Sequence, residues 1–420
     1  MNKVELNEYG RRPKNALIMA FPKRKAVLIA ATERRPSYGN NHPLAIPRVS
    51  LTLDLIQSYG ALMPQEFLPA RKASSVELGW FHASDYIRAL QHCEVLDRPF
   101  DRYRRRYNIG TLENPYFPGL FSIPATAAGA SIQGAEEVLM GRIAFNPAGG
   151  MHHGLPHQAQ GFCFLNDPAL GILRLRKAGL RVLYLDLDAH YGDGVEYAFR
   201  NDPGVLTVSL HMDTRYAYPF HGGGIEDTGR LANACNLPLP PEVNDTEYRL
   251  AFNALWPQVL HRFVPNAVVL QAGTDILYPD PLGKFNISTQ LFLEVVERVL
   301  EDCPHHADGT RRLLVLGGGG YHPIALARCW LGVWGVLSGR NLPVEIPEEG
   351  RALLHAVRWD QDEDEGYYPS LFENRLDSAR EGPVRGEVTT RVQRILDHHP
   401  LFNTRFFPRQ RSFIGSGSAM

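Results

Sequence analysis

The chain has 420 residues, 44% of them hydrophobic and 21% charged, a balance that allows a large buried core and excludes a wholly disordered protein. A formal net charge of −1 excludes recruitment to nucleic acid or an acidic membrane by bulk charge. No stretch reaches the ~18 apolar residues that span a bilayer, and the N-terminus lacks the basic and apolar regions of a signal peptide.

Short apolar runs at residues 26–30, 182–185, 205–210, 267–270 and 313–316 predict buried parallel strands. Helical periodicity occupies residues 125–140, 167–178, 246–264 and 288–300. Strand and helix alternate, so a doubly wound α/β sheet is expected. From about residue 345 the pattern loosens, with an acidic stretch at 360–365 and a GSGSAM tail at 415–420 that reads as flexible. Cys93, Cys163, Cys235, Cys303 and Cys329 form neither a CxxC pair nor a disulfide framework, which points to a reducing, cytoplasmic setting.

Polar residues fall where three of these strands end. The run at 182–185 leads into Asp186, Asp188 and His190, that at 267–270 into Asp275, and that at 313–316 into four glycines and Tyr321. Ligands bind outside the carboxyl ends of strands in open parallel sheets, so the three ends are expected to line one crevice. Asp186, Asp188 and His190 sit at i, i+2 and i+4, one face of an extended segment, which suits a cation. The same acids could instead brace the turn at Gly192 and Gly194, and Asp275 alone could be a helix cap.

His152 and His153 close a glycine-rich turn. They are either surface residues or, in a pocket, two imidazoles able to act as acid and base if carboxylates orient them, and Asp186 and Asp193 are available. The glycines at 317–320 lack the Lys-Ser/Thr of a phosphate loop, and Tyr321 is a candidate hydrogen-bond donor. Phe162 and Tyr218 read as core aromatics or channel walls. Arg102, Arg104, Arg105 and Arg106, between Tyr103 and Tyr107, read as a solvated surface rather than a nucleic-acid contact.

Taken together, GGMHH (149–153), GFCFLND (161–167), LDLDAHYGDG (185–194), Thr274-Asp275 with DPLGKFNIS (280–288), and GGGGY (317–321) closely resemble the zinc-dependent histone deacetylase family. HPLAIPR (42–48) and FHASDYI (81–87) resemble its N-terminal motifs. The resemblance implies a single-domain arginase/deacetylase fold, α/β, with a central eight-stranded parallel sheet flanked by helices. The catalytic domain would span 25–340, with an extension at 341–414 packed on it.

It also implies one zinc ion held by Asp188, His190 and Asp275, three ligands that leave a position open for water and substrate. His153 would be the general base and acid and His152 its electrostatic partner, with Asp186 holding His152 and Asp193 holding His153. Tyr321 would stabilise the oxyanion. Phe162, Tyr218, Glu113, Gly161 and Gly319 would bind substrate, and Arg48 would line an internal cavity for acetate release. A potassium ion is implied at Asp186, Asp188, His190, Ser209 and Leu210, and a second, outer one near Asp202 and Asn233, where the residues differ from the usual ones.

The family's usual phenylalanine is Tyr218 here, its frequent rim aspartate is Glu113, and its double histidine reads His190-Tyr191. HGGG (221–224) replaces the more usual glycine-threonine-glycine. These departures bear on substrate class. The expected activity is hydrolysis of acetyl-lysine in proteins or peptides, releasing acetate. The alternatives are a small-molecule amidohydrolase such as an acetylpolyamine deacetylase and a catalytically silent acyl-lysine binding protein. No nucleic-acid or membrane partner is expected, and a homo-oligomer is compatible with the sequence.

Overall fold

The computed structural model describes residues 24–31, 42–359 and 369–403. The acidic stretch at 360–365, residues 404–414 and the tail at 415–420 lie outside them. Eight strands form one parallel sheet: β1 (Ala26–Ala30), β2 (Phe67–Pro69), β3 (Ile143–Asn146), β4 (Val182–Asp186), β5 (Val205–Met212), β6 (Ala234–Leu239), β7 (Ala267–Gln271) and β8 (Leu313–Leu316). Their order is β2-β1-β3-β8-β7-β4-β5-β6. The five strands expected from apolar runs are all present, and β2, β3 and β6 are additional. The additional edge strands β2 and β6 carry Pro69 and Pro238. Proline lacks an N–H for the ladder, so it is tolerated at the sheet's margins and breaks the apolar signal there.

Every residue of β1, β3, β4, β5, β7 and β8 is buried, because helices cover both faces of the sheet. The side chains divide with a period of two. Leu183, Leu185, Val268, Leu270 and Val315 face the core shared with helices Arg48–Ser58, Asp245–Phe263, Thr289–Asp302 and Pro323–Ser338. Val182, Tyr184, Val269, Leu314 and Leu316 face that shared with Ser122–Leu139, Asp167–Lys177 and Asp193–Phe199. Burial on both faces leaves only the strand ends open to solvent and ligands.

The loosely patterned C-terminal region is ordered against this body. Helix Gly386–His398 inserts Val388, Val392 and Ile395 into the larger core. Arg385 grips Glu247 through two bonds of 2.7 Å, and Arg328 meets Asp377 at 2.7 Å with both side chains buried. Apolar residues at i, i+4 and i+7 did carry a helical signal, but the many charges around them masked it. All five cysteines are buried and free of disulfides. Among the described residues, no helix is long and apolar enough to cross a membrane.

Candidate active site

β3, β8, β7 and β4 are consecutive in the sheet, so the segments that follow them meet at one edge. This adjacency brings the His152-His153 turn, the glycine run, Asp275 and the Asp186–His190 segment into a single crevice. Asp188, His190 and Asp275 each aim one ligand atom at a common point, all within 4.8 Å of one another. His190 Nδ1 lies 3.2 Å from Asp188 Oδ1 and 2.9 Å from Asp275 Oδ2.

The electrostatics of this cluster call for a cation. Burial pushes Asp275 up, and neighbouring Asp188 adds to it, to about 7. Burial acts on Asp188 in the same sense, yet His152 and His190 hold it well below the usual carboxylate range. His190 would be depressed by burial, but bonds to Asp188 and Asp275 raise it to about 10. Two dry carboxylates facing one imidazole are costly unless a positive ion joins them. Two acids and a histidine also match a catalytic metal site with an open position, so the residues fit a divalent ion.

Gly319 is part of this cradle. A Cβ there would stand 2.1 Å from Asp275 Oδ2 and 2.9 Å from Asp188 Oδ2. Its N–H donates to Asp188 Oδ2 at 2.6 Å, as does Gln271 Nε2 at 3.3 Å. Gln271 went unnoticed in the sequence, although a fully buried amide at a strand end is a polar group in search of a partner.

Each histidine of the pair rests on its own acid. His152 Nδ1 lies 2.8 Å from Asp186 Oδ2, and His153 Nδ1 lies 2.8 Å from Asp193 Oδ1. Tyr184 also donates to Asp186, at 2.8 Å, and Gln160 to Asp193. Burial lowers both imidazoles, but Asp186 and Asp188 outweigh it at His152 and raise it to about 9. At His153, burial and the charge of His152 together hold the ring at about 4. The turn that presents them is anchored by Asp167, which accepts from the N–H groups of Gly150 at 3.0 Å and Met151 at 2.8 Å.

Tyr321 projects beside the cluster, its ring 6.4 Å from that of His190 and 6.3 Å from that of Phe162. Asp280, which carried no role in the sequence reading, accepts its N–H at 2.7 Å. A small pocket reaches His153, Gly161, Phe162, Asp188, Gly319 and Tyr321 together. Phe162 has a left-handed φ of +68° and follows Gly161 at +53°, where a Cβ would strike the ring of His153 at 2.5 Å. The Tyr218 ring stands edge-on to His153 at 4.8 Å.

Two of the departures noted in the sequence touch each other. Tyr191 is buried with its ring 5.1 Å from His211, and a Cβ on Gly223 would fall 2.9 Å from the Tyr191 ring. The larger residue at 191 therefore goes with glycine at 223.

Arg48 is buried and lines the same small pocket, with Nη2 donating to the Gly318 carbonyl at 2.7 Å. It also lines a largely apolar cavity of about 1060 Å³ that includes Leu44, Met151 and Phe164. Asp186 and Ser209 are paired across β4 and β5, while Ser209 Oγ bonds His211 Nδ1 at 2.8 Å. At the expected outer potassium position, Asn233 Nδ2 itself points at the carbonyls of Phe199, Asp202 and Val205, at 2.8, 3.2 and 3.2 Å. The Asp202 carboxylate is held by Arg176.

Comparison with known proteins agrees with this architecture. A profile of the histone deacetylase domain matches residues 42–337. The chain is 38% identical over 318 residues to histone deacetylase 9 of Arabidopsis thaliana, covering 74% of this chain and 72% of that protein. It is 39% identical to histone deacetylase 1 of Oryza sativa subsp. japonica and to histone deacetylase 19 of Arabidopsis thaliana, spanning 59% and 61% of their lengths and 74% of its own. Two crystal structures, an HDAC homolog from Aquifex aeolicus and an HDAC homolog complexed with SAHA, each superpose with a TM-score of 0.84 at 39% identity. Both comparisons cover 89% of this chain and 100% of the solved one. With that match over most of its length, the chain belongs to the histone deacetylase family and is a hydrolase of the deacetylase class.

Proposed function

We propose that the chain hydrolyses the Nε-acetyl amide of lysine in a protein or peptide, releasing acetate and the free amine. The observation that carries this reading is the meeting, in one crevice, of a metal-fit triad, a carboxylate-backed histidine pair and a phenol. Asp188, His190 and Asp275 would hold a zinc ion, which when bound polarises the amide carbonyl and makes water more acidic.

The chain's own groups supply the remaining chemistry. His153 takes a proton from the attacking water at Nε2, while Asp193 fixes its Nδ1–H and so its tautomer. The same imidazolium then protonates the leaving nitrogen, so that a free amine departs. His152, backed by Asp186, supplies positive charge beside it. Tyr321 donates its hydroxyl to the carbonyl oxygen as negative charge develops there. Phe162 and Tyr218 flank the aliphatic part of the substrate, Gly161 and Gly319 let it approach closely, and Arg48 attracts the departing acetate.

A potassium ion held mainly by main-chain oxygens of Asp186, Asp188, His190 and Leu210 with Ser209 would fit the paired ends of β4 and β5. An acetylated polyamine is the second substrate reading. It is favoured by Glu113, which hydrogen bonds from Tyr218, Gly161 and Asn108 hold below its ordinary value against the upward push of burial. An ionised carboxylate at the mouth attracts a cationic chain. The kcat/KM values on acetyl-lysine peptides and on acetylated polyamines decide between them. Failure on both, with zinc bound, would overturn both substrate readings and point to a different acyl group.

A further inference from the structure

The two segments proposed above to flank the substrate are tied together through a single oxygen atom. Glu113 Oε1 accepts from the Tyr218 hydroxyl at 2.6 Å and from the Gly161 N–H at 2.7 Å. Its other oxygen accepts from Asn108 Nδ2 at 2.9 Å. Tyr218 belongs to one wall, and Gly161 immediately precedes Phe162 of the other.

This tie bears on a strained segment. Gly161 and Phe162 are consecutive residues in the left-handed region, which is unfavourable for phenylalanine and needs support from its surroundings. A charge-assisted bond to the Gly161 N–H provides that support. Packing adds a second restraint, since a Cβ on Gly161 would meet both the His153 ring, at 2.5 Å, and the Tyr218 ring, at 2.7 Å.

We infer that Glu113, engaged by Tyr218, is a positioning residue that fixes the separation of the channel walls and so the thickness of tether that passes between them. The Tyr218 hydroxyl is occupied by Glu113 and presents only a ring to the tether. The inference rests on the deacetylase reading for its substrate class.

The test compares an acetyl-lysine peptide with the same peptide carrying 4-(acetamidomethyl)phenylalanine, whose aromatic tether is thicker. In Tyr218→Phe and in Glu113→Gln, KM for the lysine peptide should rise about 10-fold, as expected for loss of a bond to a charged group, with a smaller fall in kcat. The preference for the lysine tether should shrink by a similar factor. The double variant should be no worse than the worse single variant, because both changes remove one interaction. Unchanged tether preference in both variants, or fully additive losses, would overturn the inference.

Calorimetric binding of the two peptides to Tyr321→Phe protein, with and without Tyr218→Phe, reads the same preference without turnover. If the wild type hydrolyses neither peptide, the acetyl-lysine reading fails, and the binding preference alone then decides the role of the walls. A thermal unfolding midpoint for each variant identifies any that fails to fold, in which case Glu113→Asp, which keeps the charge and shortens the reach, takes its place.

Discussion

His152 and His153 meet Nε2 to Nε2 at 2.9 Å, each with its far nitrogen on a separate aspartate. Such a contact needs a proton on one ring and a lone pair on the other. The environments assign them unequally, with His152 raised and His153 lowered. A neutral His153 is the member able to accept a proton, and the attacking water has to take the place of His152 at its Nε2 to deliver one. His153→Ala should therefore lower kcat by roughly 10²–10⁴-fold, the usual weight of a general base, with bound zinc unchanged. Wild-type turnover in that variant would remove His153 from the proposed chemistry.

Tyr321→Phe keeps the ring against Phe162 and His190 and removes only the hydroxyl. Loss of an oxyanion donor typically costs about 100-fold or more in kcat. KM and zinc content should change little. Full activity would exclude Tyr321 as the donor.

Metal removal has a structural consequence as well as a catalytic one. With the ion gone, Asp188 and Asp275 face each other in a dry pocket, so chelation should lower the unfolding midpoint by several degrees and added zinc should restore it. Asp275→Ala should bind less than one zinc per chain and show neither response. Equal metal content in variant and wild type would take Asp275 out of the ligand set.

Gly319→Ala probes the same site through the backbone. Its Cβ would occupy space now filled by Asp275 Oδ2, 2.1 Å away, and the carboxylate would have to move. Zinc affinity, measured by competition with a chelator, should fall about 10-fold or more, the scale seen when groups that orient metal ligands are changed. Gly386→Ala, where a Cβ meets nothing within 4 Å, serves as the neutral control. The two variants behaving alike would mean that the cradle tolerates a side chain.

Acid stability depends in part on Asp213, which joins the end of β5 to the C-terminal helix through Arg391 at 2.8 Å. Burial pushes its carboxyl up, but bonds from Arg215 and Arg391 prevail and hold it at about 2. Because the folded value lies below the ordinary 3.8, the unfolded chain binds more protons in between. The contribution is complete above that ordinary value and is lost as the pH falls towards 2. Asp213→Asn should cost up to about 2 kcal/mol at pH 7, and its deficit should shrink as the pH falls through this window. A deficit of constant size down to pH 2 would show that the loss is one of packing.

Much of the site was legible because chemistry and secondary structure coincide along the chain. Asp186, Asp188, His190, Asp275 and Tyr321 stand directly after apolar runs, and a parallel sheet opens its strand ends to ligands. Gln160, Gln271, Asp167 and Asp280 were not legible as site residues. Each acts by bonding to something distant in sequence, as Asp280 does with the Tyr321 N–H, and no local pattern encodes such a partner. The edge strands β2 and β6 escaped for another reason, since short proline-containing segments resemble loops until a neighbouring strand supplies their ladder.

The sequence by itself determined the α/β class, the central strands and the residue types able to bind a cation and move a proton, because hydrophobic periodicity and side-chain chemistry are local properties. Only the tertiary structure decided that β3, β8, β7 and β4 lie side by side, and hence which of those residues converge. It alone joined Tyr218 to Glu113 across 105 positions and settled the Asn233 amide among three carbonyls. Such pairings depend on where the chain returns in space, and that is set by the summed packing of both faces of the sheet rather than by any one segment.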